Sequence, residues 1–151
     1  KMNLNWQNIK DLFPYPLEIP TIFSVVQAEL EYYQDYLKKY PLLVNPFGFM
    51  LAIRKQENGK KGREFGIMHA QALDTGLVTQ AEWAMATIIK DTRRWHEDVL
   101  ICVGGKSRDD FVDWIEYFGA KYCPIGASND PKGLNKNWIP NVRRFYKEFI
   151  L

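Results

Sequence analysis

Only two cysteines and two histidines occur among the 151 residues, and no apolar run approaches the roughly 18 residues that a membrane span requires. Cys102 and Cys123 both lie in apolar runs without zinc-ligand spacing, so buried free thiols in a reducing compartment are expected. Charge of one sign is not in excess either. Twenty basic residues against eighteen acidic ones leave a net charge of +2, which excludes a histone-like polycation and an acidic disordered tail. No nucleophile elbow, Ser-His-Asp series or Cys-His pair can be drawn, and no internal repeat is present. The first residues carry no signal-peptide core, so an intracellular protein without membrane contact is expected. Aromatic residues, by contrast, are plentiful. Eight Tyr, nine Phe and five Trp supply much of the packing surface of a chain long enough for one domain spanning 1–151.

The pattern along the chain predicts an α+β fold. Residues 1–20 read as a proline-rich arm, with Pro14, Pro16 and Pro20 against a helix interior. From Thr21 the spacing of Ile22, Val26, Leu30, Tyr33 and Leu37 predicts a helix that Pro41 ends. From Phe47 to Lys55 the residues alternate, with Phe49, Leu51 and Ile53 opposed to Met50, Ala52 and Arg54, as in a strand. Glu57 to Gly62 reads as a hairpin loop, and Glu64 to about Leu73 as the return strand. Residues 79–95 predict the clearest helix, 98–103 a covered central strand, and Ser107 to Phe118 a further helix stopped by Gly119. A last short strand over 121–125, an irregular loop over 126–140 and a helix from Asn141 complete the order. The expected architecture is a mixed sheet of about four strands, a hairpin plus a parallel crossover, packed with three to four helices.

Two features of one sheet edge could carry chemistry. Val103-Gly104-Gly105-Lys106-Ser107 is a glycine turn in which Lys106 could hold a phosphate, although the Walker A spacer is missing and Ser107 could be a plain helix cap. Glu82 is the only charged residue between Thr75 and Lys90, set among Ala81, Trp83, Ala84 and Ala86. Such neighbours desolvate a carboxylate for general acid–base work or metal capture. The same residues, Thr79-Gln80-Ala81-Glu82, spell a capping box, a purely structural role. His69 fits a packed strand position, and His96-Glu97-Asp98 fits a solvated turn.

The charge is locally uneven. Residues 53–63 hold Arg54, Lys55, Lys60, Lys61 and Arg63 against Glu57 alone. Residues 132–147 hold Lys132, Lys136, Arg143, Arg144 and Lys147 with no acid, interleaved with Trp138, Phe145 and Tyr146. Such patches suit a phosphate backbone, with the rings free to stack on exposed bases. A solubilising loop plus a docked terminal helix accounts for the same residues.

On three grounds the chain resembles the small nuclease of archaeal filamentous viruses, a family acting on linear double-stranded DNA. These are its length, an element order with a remote nucleotidyltransferase likeness, and two placements: Lys55 closing the first strand in Ile53-Arg54-Lys55 and Glu82 opening a helix in Ala81-Glu82-Trp83. That resemblance implies a nuclease of duplex DNA with Glu82 as its essential carboxylate, in the host cytoplasm if viral. A divalent ion such as Mg2+ could assist. In the expected topology Lys55 lies near the hairpin tip, opposite the Glu82 edge, where it would position DNA. The residues by themselves admit a second function, a non-catalytic nucleic-acid-binding protein that uses the basic hairpin and the basic, aromatic C-terminal segment. A third is an interaction protein that docks a partner.

Overall fold

The segment expected as the first strand is a helix at the centre of the molecule. In the computed structural model, which describes residues 3–101 and 104–151, residues Pro46–Glu57 form α4. It follows α1 (Trp6–Leu12), α2 (Ile19–Tyr32) and α3 (Gln34–Lys39) and precedes α5 (Leu77–His96), α6 (Trp114–Tyr122) and α7 (Trp138–Phe149). Asn45 caps α4 by accepting the Gly48 N–H at 3.0 Å, Pro46 occupies the first turn, and Asn58 closes the helix in the left-handed conformation. Every residue from Phe47 to Arg54 is buried. A helix covered on all flanks has no polar stripe, so its sequence loses the 3.6-residue signature and its two apolar sets imitate a strand.

The expected four-stranded sheet is therefore corrected. Helix takes 61% of the described residues, and among them the only β pairing is an isolated antiparallel bridge between Leu4 and Ile150. The described residues form no nucleotidyltransferase-like topology. The expected hairpin loop and return strand are a coil whose backbone is held by side chains instead of a ladder. Gln80, fully buried on α5, accepts the N–H groups of Phe65 and Ile67 and donates to the carbonyls of Ile67 and Ala72, at 2.9–3.2 Å. Its amide is thereby saturated. The expected central strand at 98–103 is irregular as far as residue 101, exposed through Leu100 (64%) with Ile101 buried; residues 102 and 103, with Cys102, lie outside the described residues. Gly119 does not stop a helix but lies within α6, where a Cβ would meet the Ile139 side chain at 2.5 Å. The helix expected from Ser107 starts only at Trp114, and the last expected strand is the end of α6, through Tyr122, followed by irregular backbone. The proline-rich arm contains α1, capped by Asn5, and a single 3-10 turn at Pro16–Glu18. The helices at 77–96 and 138–149 agree with the expectation, and the irregular loop before the latter is observed.

α4 packs against α7 along its length and against α2 and α5 elsewhere. Its C-terminal turn fixes the surrounding coil. Arg54 is buried, bonds both carboxylate oxygens of Glu18 at 2.7 and 3.1 Å, donates to the carbonyls of Gly59 and Glu64, and stacks on the Tyr15 ring at 3.7 Å. A buried guanidinium is tolerated only with this degree of pairing. Among the described residues no helix is long and apolar enough to cross a membrane.

Glu57 ends α4 and accepts the Trp138 indole N–H of α7 at 2.7 Å. Burial pushes its carboxyl above the ordinary value of 4.5, and the indole bond only partly opposes this. A carboxyl raised on folding binds its proton more tightly in the native state. Stability is then greatest below the ordinary value and declines as pH rises through the raised one. Glu57→Gln keeps the acceptor and removes the charge. Urea unfolding should show a higher midpoint for this variant at pH 7, with the decline between mildly acidic and neutral pH flattened. Equal pH profiles for variant and wild type would contradict the assignment.

Candidate nucleic-acid interface

The apolar face of α7 (Trp138, Val142, Tyr146 and Phe149) is buried against the rest of the fold, so its basic residues are turned outward or sideways. Arg144 and Lys147 are exposed and one turn apart on the same face. Lys55, in the last turn of α4, reaches the same surface. Its Nζ stands 4.2 Å from the centroid of the half-buried Phe145 ring, and the Arg144 guanidinium carbon stands 4.9 Å from it. Among the described residues no carboxylate pairs with Lys55, Arg144 or Lys147. An open groove of about 830 Å³ runs beside Arg143, Arg144 and Lys147 of α7 and also meets Asn8, Glu116 and Glu148; Lys55 and Phe145 do not line it.

Arg143 is engaged elsewhere. Both of its terminal nitrogens bond Asp113, one at 3.0 Å, and Asp113 also caps α6 by accepting the Glu116 N–H. The guanidinium bonds hold the Asp113 carboxyl below its usual range and offset the charge of Arg143. Arg63 Nε lies 3.7 Å from an Asp74 carboxylate oxygen. Lys60 and Lys61 are exposed in the coil after α4. Of the basic loop cluster, Arg54 is taken up by the buried network.

The glycine turn is described from Gly104 onward. Lys106 is exposed near the Phe111 ring, and the Ser107 N–H that an anion would use is taken by Asp110 at 2.9 Å, in a capping box over a single 3-10 turn.

Glu82 stands apart from all these cations. α5 begins at Leu77 with Gly76 as its cap, so Glu82 lies in the second turn, exposed, and the expected capping box does not form. It faces Glu29 of α2 across a cleft of about 360 Å³ that also meets Tyr32, Tyr33, Trp83 and Lys90. Burial, and then the charge of Glu82, raise the Glu29 carboxyl above its ordinary value. His69 stacks on Trp83 with ring centroids 4.5 Å apart. Lys55, Lys60, Lys61, Arg63, Lys106, Arg143 and Arg144 do not line this cleft. Among the described residues no group of three His, Cys, Asp or Glu side chains is placed to hold a metal.

Nothing in the sequence pattern singles out Glu29, which looks like one member of a solvated face, because no spacing pairs α2 with α5. The pattern likewise places Phe145 on a helix face without linking it to Lys55, ninety residues earlier.

Comparison of the chain with protein-family models, curated proteins and solved structures gives no match. The sheet order is not found and Lys55 ends a helix rather than a strand, so the likeness to the viral nuclease keeps only the chain length and Glu82 near the start of α5.

Glu82→Gln should bring the Glu29 carboxyl back toward its ordinary value, followed by NMR titration of the side-chain carboxyl carbons. An unchanged Glu29 titration would show that the two acids do not face each other.

Proposed function

We propose that the protein binds nucleic acid through the face formed by the end of α4 and the outer side of α7. One observation carries this reading. Lys55 and Arg144, from distant parts of the chain, converge on the Phe145 ring, and among the described residues no carboxylate neutralises either. Cations held over a ring face are positioned by its quadrupole and keep their outward N–H donors free for an anion. Lys147 extends the row along α7, and the exposed Lys60 and Lys61 follow α4 in the chain. A chain of net charge +2 that concentrates unpaired cations on one face suits a polyanion.

Binding draws more support than hydrolysis. Cleavage at Glu82 would need a phosphate held beside that carboxylate. Among the described residues Lys90 is the one cation lining its cleft, and a second negative charge, Glu29, stands across it.

The test is fluorescence anisotropy on a linear DNA duplex over a range of salt. Lys55→Ala and Arg144→Ala should each weaken binding and each reduce the slope of log K against log salt by about 0.9, the change expected when one phosphate fewer is neutralised. Glu82→Gln should leave the affinity unchanged. A slope untouched by both cation substitutions would contradict the proposal. Cleavage of the duplex in Mg2+ that disappears in Glu82→Gln would favour the hydrolytic reading.

A further inference from the structure

We infer that the α4–α7 face reads the phosphate backbone of a duplex and offers no platform for an unstacked base; this rests on the nucleic-acid reading above. The C-terminal segment interleaves its basic residues with rings, the composition of a single-strand binder. The structure withdraws those rings one by one. Trp138 is 2% exposed, with its indole N–H committed to Glu57. Tyr146 is 5% exposed, and its hydroxyl accepts the Asn45 N–H at 2.8 Å. Phe149 is fully buried.

Phe145 is the remaining ring of α7, and cations already stand over it. Lys55 Nζ at 4.2 Å and the Arg144 guanidinium carbon at 4.9 Å lie where a base would stack. A base inserted there would have to displace a cation from the ring and move it away from the backbone it would otherwise bind. The stacking contribution of about 1–3 kcal/mol per base is then forfeited, and charge alone sets the affinity. Charge favours the duplex, which carries one negative charge per roughly 1.7 Å of axis, twice the density of one of its strands. The face should also ignore sequence, because contacts to phosphates position a protein without carrying base information.

The experiment compares a mixed-sequence duplex, its two separated strands and oligo(dT) of equal length by anisotropy at one ionic strength, for wild type and for Phe145→Leu. Leucine keeps the apolar packing and removes the π face. The duplex should bind about tenfold more tightly than any single strand. The strands should differ little from oligo(dT), and Phe145→Leu should weaken duplex and oligo(dT) by the same factor. Tighter binding of oligo(dT) than of duplex, with that advantage abolished in Phe145→Leu, would overturn the inference and leave nucleic-acid binding standing. Failure to bind either form at low salt would overturn the underlying reading itself.

Discussion

A helix with no exposed residue between Phe47 and Arg54 has to be covered on every flank, and the arrangement of the other helices follows from meeting that requirement. α7 lies along α4, while α2 and α5 close other flanks of it and pack against each other. At the C-terminal end the covering is polar. Arg54 enters the interior only because Glu18, two backbone carbonyls and the Tyr15 ring meet it there, which binds the N-terminal segment and the coil after α4 to the central helix. The next residue, Lys55, emerges from the same turn on the α7 side. Neighbouring residues in one turn thus hold the fold and supply its unpaired surface charge.

The same layout divides the polar chemistry of the molecule in two. The groove between α2 and α5 brings Glu29 and Glu82 face to face, with Tyr32, Tyr33 and Trp83 around them. The α4–α7 side gathers cations that lack acid partners among the described residues. Four carboxylates elsewhere are absorbed into structure: Asp113 between Arg143 and the start of α6, Asp110 over the 3-10 turn, Glu57 under Trp138, and Asp91 fully buried against Arg94 and Lys121. Cys123, half-buried with its thiol pushed up to about 12, is unsuited to nucleophilic work.

Helices with one wet side were legible in the sequence. α5 and α7 alternate apolar and polar faces over long spans, and their spacing located both within a few residues. α4 was not legible by pattern, because burial on every side erases the stripe that a helix normally shows. Its boundaries were nonetheless written in Asn45-Pro46, a cap followed by a first-turn proline, and in Asn58, whose positive φ suits a helix end. The coil from residue 58 to 76 imitated a strand because Phe65 and Ile67, two apart, both point inward. What satisfies its backbone is Gln80, a residue whose role no local spacing announces. The candidate site divides along the same line. Clusters of charge were visible as composition, yet only the tertiary structure shows that Arg54 and Arg143 are consumed by Glu18 and Asp113 while Lys55 and Arg144 remain unpaired by any described acid.

The proposed nucleic-acid surface and the acidic cleft are separate places on this fold. Titration of isotope-labelled protein with a short DNA duplex, followed by NMR, tests that proposal most directly. The account predicts chemical-shift changes concentrated on Lys55, Arg144, Phe145 and Lys147, with Glu29, Glu82 and Trp83 unaffected. Changes centred on Glu82, Trp83 and Lys90, with α7 silent, would contradict it.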